Sequence, residues 1–305
     1  MKALIYLWPE MFYHQPGLGH MSAIAKTLSL ESSLSGRIGL LPPLLSSSEH
    51  NPGSKRRLSW ERYFAFDDLP IIDPGFSARN EIQSLLATNM NTLLYGNHSF
   101  EELLNSTRSV VARWFPRPSI YGQWLPSEQS ELHLKTHNLG QRFPISVQEI
   151  ASQIISEIGS PEGVLHVRRG DMACPKTSPP MVLEYLESKG ANKYDLIYLM
   201  TNESDPSYIK ALKSVYPKLI WEKEIDCVRK SRQLKSDNYL LFRVGKYIQS
   251  RHDQLMLDTL RYPDLARMSM QQRSLYSRIL VKIEDHFSAV RLNHLKKATS
   301  VALFC

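Results

Sequence analysis

The 305-residue sequence has little of what marks several classes of protein. It contains three cysteines, Cys174, Cys227 and Cys305, and no two of them are at CxxC spacing. So few, scattered cysteines exclude a disulfide scaffold and argue against a structural zinc site. No apolar run approaches the ~20 residues that a membrane-spanning helix needs.

The sequence also lacks the patterns of common nucleic-acid-binding modules: no helix-turn-helix, zinc-finger or RNP motif is present. The excess of basic residues is modest, since 37 Lys+Arg against 30 Asp+Glu leave a net charge of +7. The tight basic triplet Lys55-Arg56-Arg57 lies in a stretch rich in Ser, Pro and Gly, and we interpret it as a solvated loop. We therefore expect no nucleic-acid partner.

The apolar run at the N-terminus predicts a buried strand. It extends from Ala3 to Trp8 and stops at Pro9-Glu10, so it is shorter than the ~7–15 apolar residues of a secretory signal. We expect a cytoplasmic protein. The alternative is the lumen of the Golgi or the endoplasmic reticulum, if an anchor precedes this sequence in the natural protein.

Strands and helices alternate in both halves of the chain. What is present is ordinary for a globular protein, with 42% hydrophobic and 22% charged residues. The pattern predicts two α/β domains, 1–145 and 146–305, that face each other across a cleft. The first half should contain a strand at 3–8, a Gly-rich turn at 17–20, helices at 21–33, 81–94 and 101–114, and a strand at 38–41. The second half should contain strands at 163–167, 195–200 and 218–221, and helices at 147–158, 180–188, 206–215, 238–249 and 271–296.

The sharpest chemical signal is Gly163-Val164-Leu165-His166-Val167-Arg168-Arg169-Gly170-Asp171, where an apolar strand leads directly into two arginines. An arginine at the end of a buried strand is costly unless it has an anionic partner. Guanidinium groups suit phosphate oxygens, because their planar fork allows bidentate hydrogen bonds. The residues alone leave two interpretations open: a phosphate site, or an Arg–Asp pair that ties strand to loop.

The string HVRRGD resembles the His-x-Arg-Arg-x-Asp motif of the fucosyltransferase superfamily, which includes α1,2-, α1,6- and protein O-fucosyltransferases. Two further segments are similar to that superfamily, especially its O-fucosyltransferase and α1,6 branches: 197–205 (IYLMTNESD) and 62–69 (RYFAFDDL). Gly17-Leu18-Gly19-His20 falls where the superfamily has a Gly-rich loop. Together these segments cover about two thirds of the chain in order.

The resemblance implies a GT-B-like fold with two Rossmann-like domains. It implies an inverting glycosyltransferase that uses GDP-fucose without a metal or other cofactor. By this analogy Arg168 contacts the β-phosphate and stabilises the leaving GDP, while Arg169 assists it or braces the loop. Asp171 can orient one of the arginines and is counted among the donor-binding residues. His166 and Asn202 would line the donor pocket, the latter together with its neighbour Glu203. Domain 146–305 would bind the donor, domain 1–145 the acceptor, and the last helix would pack back across the junction.

Further donor contacts follow from the same resemblance. Gly17 and Gly19 would let the backbone approach the pyrophosphate at the first helix, with His20 in the same loop, although a lone Gly-x-Gly favours a plain tight turn before a helix. Asp237 is either the N-cap of the next helix or a carboxylate that binds the guanine base. The superfamily's Ser/Thr-Phe-Ser-like motif is missing from 251–260, where Thr259 or Asp253 is the candidate substitute.

No general base stands out; the candidates are Asp68, Glu10 and Asp171. The sequence contains no Asp-x-Asp, which is consistent with chemistry that needs no metal. We expect a transferase that moves a sugar, L-fucose first, from a GDP-sugar to a hydroxyl of a glycan or protein. The missing motif keeps another sugar open, such as xylose, galactose or rhamnose from another nucleotide. The unassigned base keeps open a non-catalytic protein that binds a nucleotide or a glycan.

Overall fold

The structure is a computed structural model. The part of the chain that it describes comprises residues 2–7, 18–41, 44–45, 51, 57–73, 93–94, 99–114, 142–167, 177–252 and 256–258.

A parallel sheet occupies the first part of the chain, with the strand order β5-β2-β1-β7-β6. Its centre is a β–α–β unit, in which β1 and β2 are parallel with Ala3 opposite Ile38. This confirms the predicted opening unit. The elements are β1 (Ala3–Leu7), α1 (Leu18–Ser35), β2 (Ile38–Leu40), β3 (Leu44–Leu45), β4 (Arg57–Leu58), β5 (Ile71–Ile72), β6 (Leu93–Leu94), α2 (Ser99–Asn105) and β7 (Val110–Trp114).

Three predictions in this half are wrong. The first helix begins at Leu18 rather than Met21, so Gly19 and His20 lie in its first turn and not in the turn before it. The helix predicted at 101–114 ends at Asn105, and Val110–Trp114 is a strand that pairs with β1 along its length. Its β-branched start and its central place in the sheet outweigh the helical spacing of its apolar residues. Leu93 and Leu94, predicted helical, also form a short strand.

A second parallel sheet has the strand order β10-β9-β8-β11. All five residues of β8 and of β9 are buried, as expected for a parallel sheet covered on both faces. Together the two sheets confirm a mixed α/β fold. The elements are α3 (Ile145–Ile158), β8 (Gly163–Val167), α4 (Pro179–Ser188), β9 (Ile197–Thr201), α5 (Pro206–Lys213), β10 (Leu219–Trp221), α6 (Asp226–Lys230), α7 (Arg232–Ser236), α8 (Asn238–Arg251) and β11 (Met256–Asp258).

Alternate residues of β8 and β9 serve two hydrophobic clusters, as the twofold period of a strand requires. Val164, Tyr198 and Met200 belong to the cluster that contains the apolar faces of α3 and α8. Leu165 and Leu199 belong to the cluster that contains those of α4 and α5. Helices therefore cover both faces of the second sheet.

The cluster on the α8 side continues into the first half of the chain, where it includes Trp60, Tyr63 and Phe64. These aromatic side chains start at a short 3-10 helix, Trp60–Arg62, and all three are at most 1% exposed. Both sheets belong to one compact unit, Met1–Asp258. The boundary between 1–145 and 146–305 and the cleft between two domains stay predictions, and the helix predicted at 271–296 lies outside the described residues.

Candidate functional site

The second sheet reverses its strand order at β8. From there the chain adds β9 and β10 on one side and then β11 on the other. In open α/β sheets, ligands bind beyond the carboxyl ends of the strands at such a reversal. The Arg-Arg-Gly-Asp part of the motif follows β8 immediately, so its position in the chain coincides with the place where the fold favours a ligand.

His166 is the member of the motif that the structure describes. It is 7% exposed, and its ring lies 5.4 Å from that of Phe242 on α8, at an angle of 60°. In the sheet it is paired with Met200 of β9 and with Asp258 of β11. The motif residues Arg168, Arg169 and Asp171 lie outside the described residues, as do Gly17 and Thr259, and their roles stay predictions.

The turn after β9 presents Asn202 at the same edge. Asn202 is exposed, and it follows Thr201, which is paired with Val167 at the end of β8. Glu203 organises the turn, since its Oε1 accepts from the amides of Ser204 at 2.8 Å and Asp205 at 2.9 Å. The Glu203 carboxylate therefore has a structural role in this turn, and Asn202 is exposed at the end of the strand.

A buried acid, Glu222, follows the next strand and was not predicted. Its side chain accepts a hydrogen bond from the amide of Thr201 at 3.3 Å. Burial raises the pKa of Glu222 to about 8, against the opposing effects of Lys223 and of that amide. The sequence offers no signal for this acid, because Glu222-Lys223-Glu224 has the pattern of an exposed charged turn.

Asp237 is the most highly connected of the predicted residues. It is the N-cap of α8, since Oδ1 accepts from the amide of Leu240 at 3.1 Å. Oδ1 also accepts from Nδ2 of Asn51 at 3.2 Å. Oδ2 accepts from the hydroxyl of Tyr63 at 2.9 Å and lies 2.8 Å from Nε of Arg62. The N-cap interpretation is thus observed, and contact with a guanine base stays a prediction for a carboxylate that already has protein donors on both oxygens.

A buried arginine on the same helix makes a second connection to the first half of the chain. Nε of Arg243 donates to the carbonyl of Tyr63 at 2.7 Å, and Nη2 donates to that of Arg142 at 2.8 Å. Its guanidinium lies 4.6 Å from the ring centre of Phe64 and 4.1 Å from that of Phe143. Burial lowers the pKa of Arg243, while the carbonyls and aromatic faces favour its charged form.

The sequence did not predict that residues from the first half of the chain lie around Asp237. The segment 62–69 was noted for its resemblance to a family, but no local pattern shows that Arg62 and Tyr63 meet a carboxylate about 175 residues later. Asp68, a candidate base, forms an ion pair with Arg142 in the structure and is otherwise exposed.

A shallow groove of about 320 Å³ lies between α3 and the end of α8, lined by Phe143, Gln148, Tyr247, Ser250 and Arg251. Its polar groups bind one another: the Tyr247 hydroxyl accepts from Nε of Arg251 at 3.2 Å and lies 3.5 Å from Oε1 of Gln148. None of the lining residues was predicted to be functional.

Metal ligands are not clustered in the part of the chain that the structure describes, where no group of three or more His, Cys, Asp or Glu could hold an ion. Cys227 is a free, half-buried thiol whose pKa is raised to about 11, chiefly by burial. Of the described helices, none combines the length and the apolar character needed to cross a membrane.

Comparison with known proteins gives a structural likeness but no match in sequence. No family model matches the chain. No curated protein matches it either. Among solved structures, the chain is similar to the α1,6-fucosyltransferase NodZ, in a crystal soaked with GDP-fucose, at 11% sequence identity and a TM-score of 0.46. The similarity covers 88% of this chain and 91% of that one. At this identity and TM-score it carries no argument about the function of this chain.

Proposed function

We propose that this protein is a glycosyltransferase that moves a sugar from a nucleotide donor to a hydroxyl group. The observation that carries the proposal is that the second sheet reverses its strand order at β8, the buried strand that ends in His166 and Val167 of HVRRGD and that the two arginines follow in the sequence. Two arginines at such a place suit the diphosphate of a donor. The resemblance of the motif to the fucosyltransferase superfamily makes GDP-fucose the first candidate donor.

The chemistry needs a cation near the leaving group. As the bond between the sugar and the diphosphate breaks, negative charge grows on the departing oxygen and the anomeric carbon becomes oxocarbenium-like. A fixed guanidinium near that oxygen binds the transition state more strongly than the ground state. Arg168 has this role in the proposal, and Asn202, exposed at the neighbouring strand end, is the next candidate for contact with the donor.

The test is the substitution of Arg168 by alanine. We expect transfer from GDP-fucose to fall at least a hundredfold, on the order of the 3–4 kcal/mol that one oxyanion donor contributes. Arg108→Ala is the matched control, because this exposed arginine precedes β7 at the amino ends of the strands of the first sheet. An Arg168→Ala variant with wild-type thermal stability and more than a tenth of the activity would refute the role.

The nucleotide is tested separately. In a thermal-shift panel of GDP, UDP, dTDP and their sugars, we expect GDP and GDP-fucose to raise the melting temperature most. Stabilisation by UDP or dTDP alone would replace fucose by another sugar, the alternative that the missing Ser/Thr-Phe-Ser motif favours. Binding of GDP-fucose without hydrolysis or transfer, across an array of glycan and peptide acceptors, would indicate a binding protein instead.

A further inference from the structure

Arg62 is held by a buried carboxylate on one side and is open on the other. Its Nε is buried and lies 2.8 Å from Oδ2 of Asp237, in an ion pair whose geometry is not that of a hydrogen bond. The side chain as a whole is 36% exposed. No residue in the described ranges hydrogen-bonds to its terminal nitrogens Nη1 and Nη2. The exposed part of this side chain thus lies beyond Nε, which is buried against the Asp237 carboxylate.

The support behind this arginine is built from both halves of the chain. The Asp237 side chain is only 4% exposed, and besides Arg62 it receives donors from Asn51, Tyr63 and Leu240. Asn51 is also buried, and its Oδ1 accepts from the amide of Asn238 at 2.8 Å. A carboxylate held by so many partners has no freedom to rotate. It is a fixed negative charge against Nε of the guanidinium.

The position of this arginine relates it to the strand-order reversal of the second sheet. Asp237 precedes Phe242 by five residues, which is about 7.5 Å along the axis of α8. Phe242 contacts His166, the motif residue at the carboxyl half of β8. Arg62 thus stands at the N-terminus of α8, close to the strand end where we place the donor. The positive end of the helix dipole adds to the attraction for an anion there.

We propose that Arg62 binds a phosphate group of the donor nucleotide through its Nη fork, and that Asp237 is the positioning residue that aims it. The proposal rests on the proposed function, because it takes a nucleoside diphosphate as the ligand. It extends that function by adding a residue from the first half of the chain to the donor site. Guanidinium held at Nε by a carboxylate leaves a planar pair of N–H groups that matches two phosphate oxygens.

The first experiment is calorimetric titration of the full chain with GDP and, separately, with inorganic pyrophosphate. A charge-assisted contact predicts that Arg62→Ala weakens both ligands about 10–100-fold. Arg62→Lys keeps the charge but not the fork, so its loss should be intermediate. Arg108→Ala, which removes an equal charge from an exposed site, should change either affinity less than twofold.

The positioning role of Asp237 is tested by a double-mutant cycle. Asp237→Asn preserves the size of the side chain and an acceptor for the helix cap but removes the charge that holds Arg62. We expect Asp237→Asn to lower the affinity for GDP by less than Arg62→Ala does. In the Asp237→Asn background, the loss of affinity caused by Arg62→Ala should be at least threefold smaller than in the wild type. Ser231→Ala, which removes only the cap of α7, controls for lost stability and should leave the affinity for GDP unchanged. Additive effects in the cycle would show that Asp237 has a structural role alone.

The outcomes separate the two proposals. If the wild type binds GDP and Arg62→Ala binds it as tightly as Arg108→Ala does, the Arg62 inference is wrong and the proposed function stands. If the wild type binds pyrophosphate but no nucleotide of the panel, the donor assignment is wrong. The Arg62 inference is then tested by the affinity of Arg62→Ala for pyrophosphate. If the wild type binds neither, both proposals are overturned. Should the panel select UDP or dTDP, that nucleotide replaces GDP in the titrations.

Discussion

Two buried carboxylates in the second half of the chain have opposite surroundings. Asp237 accepts hydrogen bonds on both oxygens, from its own helix and from Asn51 and Tyr63, and Arg62 forms an ion pair with it. Glu222 is also buried, but the hydrogen bond that it accepts comes from the amide of Thr201, at 3.3 Å. Burial without enough donors raises the pKa of Glu222 to about 8.

The number of hydrogen-bond donors around a buried acid determines how it affects the fold. A carboxylate with converging donors joins the segments that supply them, because removing it leaves several buried donors unpaired. A carboxylate with few donors takes up a proton instead of remaining charged. We therefore expect Asp237 to stabilise the fold as an anion and Glu222 to be tolerated as a neutral acid.

Among the predicted changes in stability, the largest should follow the removal of the Asp237 side chain. Asp237→Ala removes a helix cap and the acceptor for Tyr63, Asn51 and Arg62, so we expect the free energy of unfolding to fall by about 3–5 kcal/mol. Chemical denaturation measures it. Asp205→Ala is the matched control, since Asp205 caps α5 from an exposed position and should cost only about 1 kcal/mol. Equal losses in the two variants would reduce Asp237 to an ordinary cap.

Only part of this contrast between Asp237 and Glu222 could be predicted from the sequence. The cap itself was predictable, because Ser-Asp-Asn before an apolar helical pattern is a local signal. Its partners Asn51, Arg62 and Tyr63 are at least 174 residues away in the chain, and no spacing encodes that contact. Glu222 was missed because its local pattern predicts a side chain exposed to solvent. Its burial comes from the neighbouring strands, which the local pattern does not show.

The same division applies to the fold and to the candidate site. Strands β1, β2, β8 and β9 were predicted because short apolar runs between turn signals are local features. Val110–Trp114 was mistaken for a helix because its apolar spacing fits both periods, and its pairing with β1 decided the outcome. For the candidate site, the predictions for His166 and Asn202 come from the resemblance of short segments to a family, whereas the role proposed for Arg62 depends on a carboxylate that folding brings to it.

Glu222→Gln should have the next largest effect, and its sign depends on pH. In the unfolded chain the carboxyl group ionises near its ordinary value of 4.5, while in the folded protein its pKa is about 8. Between these values the folded state holds the proton and the unfolded state does not. The stability of the wild type therefore falls as pH rises through this window, by at most about 1.4 kcal/mol per pH unit.

Glutamine cannot ionise, so this slope disappears in the variant. We expect the two proteins to be similar in stability near pH 5 and Glu222→Gln to be more stable by a few kcal/mol, in order of magnitude, at pH 8 and above. Denaturation curves at several pH values measure the slope. Glu224→Gln, two residues further on and exposed, is the control and should stay within about 0.5 kcal/mol. Parallel pH profiles of wild type and Glu222→Gln would mean that Glu222 is charged in the folded protein.

The smallest predicted effect concerns one hydrogen bond to the Asp237 carboxylate. Tyr63→Phe deletes one hydroxyl that donates to the carboxylate at 2.9 Å, and leaves the ring in its buried place. Tyr208→Phe deletes an equally buried hydroxyl that donates to the backbone carbonyl of Thr177 at 3.0 Å. The two changes differ in the charge of the acceptor rather than in the size or the burial of the side chain.

Hydrogen bonds to a charged acceptor contribute about 1.5–3 kcal/mol, against about 1 kcal/mol for neutral pairs. We therefore expect Tyr63→Phe to lower the free energy of unfolding by about 1 kcal/mol more than Tyr208→Phe does. Burial, together with the neighbouring carboxylate, also raises the pKa of Tyr63, so its hydroxyl keeps its proton to donate throughout the neutral range. If the two variants lose the same stability, Arg62 and Asn51 serve the Asp237 carboxylate so well that the phenol adds nothing. The pair of substitutions is repeated in Asp237→Asn, where the neutral acceptor should remove the excess loss of Tyr63→Phe.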